Sequence, residues 1–392
     1  MNKEQEYLIR LTAAYLDGKK ISLKNDIDYA KLFADARSHN LFGIAFCAIA
    51  NSQNKKDVLS EKELDHYQSL FTDIIYNYNL FLKIYGELTD ALKGAEIRFV
   101  PFKGIVLKDI YPVPEARSMG DIDILIDHDK RDSAKAALTK AGFQCVTSNG
   151  PEWAYNKNGI CVEIHTSILN GNTGRNSAKE YFADAIDHAK FSGFEGRLDD
   201  TYHFEFLFAH LAQHFVDFGA GIRMILDLAA MLKTRDIDID KVVKDLETAG
   251  LGKFAETMLT VCYKWYGYGR DFGLDTKKAE NFIAAHGTFG FKDRDLSAVV
   301  MRKEFEKGKT GGPVLRKLRL LFPPYGRMRE LPYIKFIDGR PYMLPAAWIY
   351  RVIYNFINRK NRMMQTAKGL SDKNSENKAK KEFEFFKEIG LN

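Results

Sequence analysis

The 392-residue chain reads as an α+β protein, a small mixed-sheet core flanked by N-terminal and C-terminal helical regions. Three observations predict this. Apolar residues recur at three- and four-residue spacing through residues 1–95 and again through 200–308, as in helices buried on one side. Between them the pattern changes to two-residue alternation in DIDILI (121–126) and ICVEIHTSI (160–168). The turn Lys157-Asn158-Gly159, a strong hairpin signal, sits in that same stretch. A hydrophobic content of 45% with 28% charged residues is ordinary for a globular chain and excludes a fibre or a disordered polymer.

In chain order, Tyr7, Leu8, Leu11 and Tyr15 mark a first helix, and Leu70 to Leu92 the apolar face of the longest one. Ser60 and Glu63 form a capping-box pattern at its start, and Gly94 closes it. Its aromatics Phe71, Tyr76, Tyr78, Phe81 and Tyr85 are expected in the core. IRFVP (97–101) predicts a strand and GIVLKDIY (104–111) a short helix stopped by Pro112. A helix from Lys130 to Ala141 leads to the strands FQCVT and WAYN. These elements make up a core region over 96–199. The helical domain 200–308 is broken at Gly219–Gly221, Gly250 and Gly267–Gly273. Residues 309–365 form a basic, Pro-containing wrap with a last amphipathic helix from Pro345 to about Lys360. A tail, 366–392, begins with the polar segment 366–380, expected as a flexible linker.

Cys47, Cys145, Cys161 and Cys262 lie far apart with no metal-type spacing, so they read as small buried hydrophobes in a reducing compartment. No signal-peptide pattern and no long uncharged apolar run is present, which predicts a cytoplasmic protein without a transmembrane segment. Charge is uneven. Residues 301–392 carry 21 Lys+Arg against 9 Asp+Glu, whereas the other 300 residues carry 37 against 43. A basic C-terminal third suggests a polyanionic partner, with Arg316, Lys317, Arg319, Arg327 and Arg329 interleaved among aromatics. The plainer expectation is that these arginines pair with Glu304, Glu306 or Glu330.

The chemistry is concentrated in the acidic strands. Residues i and i+2 of a strand share a face, so Asp121 and Asp123 point together while Ile122 and Ile124 enter the core. Two such carboxylates repel, and a divalent cation removes that cost; hard oxygen donors suit Mg²⁺ or Mn²⁺. Glu163, flanked by Val162 and Ile164, supplies a third carboxylate if its strand lies beside the first. Three acids so placed make the metal clamp of nucleotidyl transfer, with Glu163 also the candidate base for an acceptor hydroxyl. Lys103 and Gly104, between a strand and a short helix, are candidates for the phosphates of a bound nucleotide, and Arg117 for a bidentate contact to them. His165 shares the face of Glu163. His210 and His214, at i and i+4, could wall the nucleotide site; the HExxH glutamate that zinc would call for is missing. Arg223 and Asp227 read as an intrahelical pair.

KGIVLKDIYPVPEARSMGDIDILI followed by CVEIHTSI resembles the uncharacterised bacterial nucleotidyltransferases of the polymerase-β superfamily. The resemblance extends to HLAQHF (210–215), GIRMILDLAAML (221–232) and LFPPYGRMREL (321–331). It implies an NTP-binding core of polymerase-β type in which Asp121 and Asp123 bind metal and Glu163 is the third carboxylate. Lys103-Gly104 stands where a Gly-Ser or Gly-Gly pair is usual. The expected reaction is transfer of an NMP group from an NTP, with ATP the first choice, to a hydroxyl acceptor that could be anionic. The alternative is a catalytically silent NTP-binding or membrane-peripheral protein that meets an anionic surface through 313–362.

Overall fold

The computed structural model describes all residues except 149, 151, 170–175, 218, 288–295, 307, 309–314, 316, 317, 320, 330, 332, 371 and 392; the side chains of 176, 296 and 359–368 are likewise outside the description. The expectations placed on Arg316, Lys317 and Glu330 thus fall outside the described residues. The chain divides into two compact units, Met1–Phe291 and Lys292–Asn392. Residues 1–95, 96–199 and 200–291 fall in the first unit, and the helix Leu296–Glu306, expected with the 200–308 domain, falls in the second.

That unit is built on one seven-stranded mixed sheet. Its strands are β1 (Phe99–Phe102), β2 (Asp121–Ile126), β3 (Gln144–Thr147), β4 (Glu152–Lys157), β5 (Ile160–His165), β6 (Ala189–Ser192) and β7 (Glu195–Leu198). The spatial order is β3-β4-β5-β2-β1-β7-β6. β2 lies at the centre, antiparallel to β1 and parallel to β5. β4 and β5 form the hairpin expected around Asn158-Gly159, whose positive φ values of 52° and 85° are what this turn requires. The hairpin β6–β7 has no counterpart in the sequence reading, because two four-residue polar strands carry too little alternation to register.

One face of the sheet is closed by the helix Glu61–Gly94, which starts at the Ser60–Glu63 capping box and runs for 34 residues. Phe81, Ile84, Leu88 and Leu92 from this helix meet Phe99, Ile122, Ile124, Ile126, Val162 and Ile164 of the strands, with Ala134 and Leu138 of the helix Arg131–Lys140. Each Val, Leu, Ile or Phe side chain of this set, taken fully from water, contributes about 1.5–3 kcal/mol. The other face is met by the helix Asp200–Asp217, where Phe206 packs edge-on to Phe102 at 5.5 Å. The helices Lys3–Leu16, Phe42–Ala50, Ile222–Thr234 and Gly252–Tyr266 belong to this same unit.

Several expectations are corrected. In the long helix Phe71 and Phe81 are buried as expected, but Tyr76 is 71% exposed, since its position turns to the solvent side. Cys145 is exposed because β3 is an edge strand, and Cys161 is only half-buried because it lies on the polar face; Cys262 alone matches the fully buried reading. The segment 366–380 is no linker. The helix Leu344–Gly369 runs into it, and a second helix, Lys373–Glu388, starts at Asp372, whose carboxylate accepts from the Ser375 amide. Sparse but well-spaced apolar residues hold it: Leu370 and Ala379 are buried with Ala298 and Met301 of the helix Leu296–Glu306. Arg302, fully buried, pairs with Glu306 and lies over the Phe386 ring at 4.6 Å. The last amphipathic helix is longer than expected, continuing past Lys360 to Gly369. Among the basic residues, Arg319 is within 3.5 Å of Glu304, which is the plainer of the two expectations for that side chain.

Candidate active site

The parallel pairing of β2 with β5 sets Asp123 opposite Glu163, Asp121 opposite Cys161 and Leu125 opposite His165. Alternation then puts Asp121, Asp123, Glu163 and His165 on the face away from the long helix, as the sequence predicts. Asp123 is completely buried. Its Oδ1 accepts from Lys103 Nζ at 2.7 Å and from His165 Nε2 at 3.0 Å. The same His165 nitrogen is 3.4 Å from Glu163 Oε2. Asp123 Oδ2, buried as deeply, has no hydrogen-bond partner among the described residues.

Donor atoms of Asp123, Glu163 and His165 all lie within 4.8 Å of one another. A lone buried carboxylate oxygen beside two further donors fits a divalent cation, which would satisfy Oδ2 and neutralise the local negative charge. The candidate metal set thus gains His165 over the expected carboxylates. Asp121, one alternation step back along β2, is outside this tight cluster but next to it.

Electrostatics record the crowding. The Asp121 carboxyl is pushed up to about 7, first by the charge of Asp123 and then by burial. Burial also works to raise Asp123, but Lys103 and His165 outweigh it and hold the group below its usual range. Desolvation opposes the charge on Lys103 and His165, yet the surrounding carboxylates raise both. The cationic Lys103 thus partly neutralises the cluster.

Lys103 occupies its place at a cost. Its φ of 54° and ψ of −129° are a rare conformation for a residue with a Cβ, worth about 1–3 kcal/mol of strain. Its amide donates to His203 Nε2 at 3.3 Å. Gly104 has ordinary backbone angles, and a Cβ there would meet Arg117 and Met119 only at 3.5 Å, so the glycine is not demanded by the fold itself.

Arg117 does not stand ready for a phosphate. It is 2% exposed, and its Nε and Nη2 grip the two oxygens of Asp227 at 2.8 and 2.9 Å. Tyr111 donates to the same carboxylate at 2.6 Å. Burial would raise Asp227, but the Arg117 charge prevails and keeps it low. The remaining Arg117 nitrogen reaches the Gly104 carbonyl at 3.3 Å. Arg117 therefore braces the turn that carries Lys103, and the expected Arg223–Asp227 pair gives way to Arg117–Asp227. Sequence spacing favoured the local partner, whereas the fold brings a bidentate one from 110 residues away.

Arg223 is left with a different task. Its Nη1 donates to the Ser118 carbonyl at 2.8 Å, and its Nε has no hydrogen-bond partner among the described residues. It lines a cavity of about 130 Å³ together with Lys103, Gly104, Asp121, His210 and His214. The two histidine rings are 4.5 Å apart. Burial, then the nearby cations, push both histidines down, His214 to about 4, so both are neutral around pH 7. Of the expected nucleotide-binding residues, Lys103, Gly104, Arg117, His210 and His214 line this one depression, whereas His165 lies outside its lining, against Asp123 and Glu163. Arg223 and His203 are the neighbours the sequence reading missed. His203 is seven residues before His210, two helical turns along the same face, and that spacing was the available signal.

A mixed sheet carrying carboxylates on adjacent central strands, against a cavity of cationic and neutral donors, defines an α+β nucleotidyltransferase core. The chain belongs to the family described as "Uncharacterised nucleotidyltransferase", whose family model matches residues 25–267. The match covers the sheet, the site and the helices from Tyr29 to Tyr266, and ends before LFPPYGRMREL. Neither a comparison with curated proteins nor one with solved structures gave a match.

Proposed function

We propose that the protein transfers an NMP group from an NTP, with ATP the expected donor, to a hydroxyl acceptor, using Mg²⁺ or Mn²⁺ held by Asp123, Glu163 and, once it has given up its proton, His165, with Asp121 alongside. The observation that carries this reading is the orphaned Oδ2 of Asp123 at the centre of the donor cluster, on the two strands that the family match spans. When bound, the cation would neutralise charge on the phosphates and on the attacking oxygen.

The chain's own residues supply the rest. Lys103 and Arg223 place positive charge beside the cavity, where the triphosphate would sit. Neutral His210 and His214 offer hydrogen bonds without adding charge. The acceptor oxygen attacks the α-phosphorus, and its proton passes to Glu163. The bond from the α-phosphorus to the oxygen bridging to the β-phosphate breaks, and pyrophosphate leaves. Arg117, through Asp227 and Gly104, holds the phosphate-side turn in place.

The Lys103–Asp123 ion pair is the observation that favours the second reading, a silent NTP-binding protein, since the ammonium already neutralises the buried carboxylate. One experiment separates the two. The protein is incubated with each α-labelled NTP, Mg²⁺ and a cell extract, and the labelled product is sought. Metal-dependent labelling that Glu163→Gln abolishes, while NTP binding persists, is expected; binding without labelling for every NTP would leave the silent reading standing.

A further inference from the structure

The second unit carries a surface to which the proposed reaction gives no role. Along the helix Leu344–Gly369, one side is committed to the unit's own interior. Ala347 is buried with Met328, Ile334 and Ile337, Trp348 donates its indole N–H to the Pro323 carbonyl at 2.8 Å, and Tyr354 stacks on Tyr333 at 4.0 Å. The other side is apolar and open. Ile349, Ile353, Phe356 and Ile357 are 64%, 54%, 51% and 73% exposed. Their i, i+4, i+7, i+8 spacing makes them one continuous stripe. Tyr350 flanks the stripe and Tyr342, just ahead of the helix, is exposed as well. Single exposed apolar residues need no explanation, but four large ones in line over two turns do.

Charge on the same helix is of one sign. Arg351, Arg359, Lys360, Arg362 and Lys368 lie within it, and it contains no aspartate or glutamate. We propose that this helix is an interfacial anchor that lies on an anionic lipid bilayer, its aliphatic stripe entering the acyl boundary and the helix's net positive charge drawing it to the headgroups. The combination selects the occupant. A nucleic acid would use the basic residues and stack on aromatics, but it offers nothing to three exposed isoleucines. A second copy of the helix would bring five like charges against five. A bilayer with anionic headgroups accepts both features at once, with aromatic residues at the water boundary. The helix would lie on the surface rather than cross it, since among the described residues no helix is long and apolar enough to span.

The test is flotation of the full-length protein with phosphatidylcholine vesicles, with and without phosphatidylglycerol. The expected result is co-flotation with the phosphatidylglycerol vesicles alone, weakened by high salt. In Ile353→Glu/Ile357→Glu the bound fraction should fall roughly tenfold or more, with the melting temperature unchanged because both positions are exposed. No flotation, equal flotation on phosphatidylcholine alone, or a double variant that floats like the wild type would overturn the proposal. So would a dimer in light scattering that the double variant splits, which would assign the stripe to a second copy. Retention of single-stranded RNA without flotation would assign the charge to nucleic acid instead. None of these outcomes depends on nucleotidyl transfer.

Discussion

On the side of β2 and β5 that meets the helix Glu61–Gly94, Ile122, Ile124, Val162 and Ile164 are packed among apolar neighbours. On the other side, one residue along each strand, Asp121, Asp123 and His165 stand beside Glu163, close enough for the protonation of these three to be perturbed by their neighbours. The same backbone hydrogen bonds hold both. The first face gains from proximity, and the second is held together in spite of it. What the difference teaches is a division of labour: a dry, well-packed face makes the strands rigid, and that rigidity keeps three mutually repelling acids in register.

The comparison breaks most sharply at Asp123. Asp123→Asn should lower nucleotidyl transfer roughly 10²–10³-fold or more, by removing the central donor where charge must be neutralised. Its unfolding midpoint in metal-free buffer should also drop, because the buried Lys103 loses its closest counter-charge, and a variant that keeps full turnover would place the clamp elsewhere.

Arg117→Met tests whether the polar side also carries stability. The variant leaves Asp227 buried without its bidentate partner, at a cost of about 3–5 kcal/mol, visible as a large drop in the denaturant midpoint. A drop of only a few tenths of a kcal/mol would mean that water reaches Asp227 and that the brace is weaker than its geometry suggests.

A smaller effect comes with acid. Burial holds His39 and His203 down to about 4. His39 accepts from the Ile222 amide through Nδ1 and faces the Ala284 carbonyl through Nε2, an arrangement suited to the neutral ring. The unfolded chain takes up these protons near 6.5, the folded protein only near 4. The stabilisation is therefore complete above about pH 6.5 and is lost as pH falls towards 4. At pH 5 each histidine should have cost about 2 kcal/mol. Denaturant melts between pH 7.5 and 5 check this, and a His39→Gln variant should show a shallower slope over that window.

Smallest of all, Ile124→Val trims the dry face by one methylene. It should cost about 0.5–1.5 kcal/mol and leave turnover nearly unchanged, as a kinetic assay beside a thermal melt would show. If turnover instead fell tenfold, the apolar face would be positioning the acids more finely than packing alone requires.

Much of this was legible in the residues. The alternation of DIDILI and ICVEIHTSI determined which side chains share a face, because a strand has period two whatever surrounds it. The Asn158-Gly159 turn and the Ser60–Glu63 cap were local too, since their hydrogen bonds close within four residues. What the sequence could not determine was partner choice across distance. Arg223 and Asp227 are neighbours by helical spacing, yet Asp227 is taken by Arg117, because a bidentate, fully desolvated pair outweighs a single-helix contact. Lys103 looked like a phosphate ligand, and only the packed sheet shows it neutralising Asp123 from a strained backbone. The helix Lys373–Glu388 reads as a polar tail until a few spaced apolar side chains find Ala298 and Met301. In each case the deciding term is burial, which removes water as a competitor for charge and surface, and burial is a property of the tertiary structure.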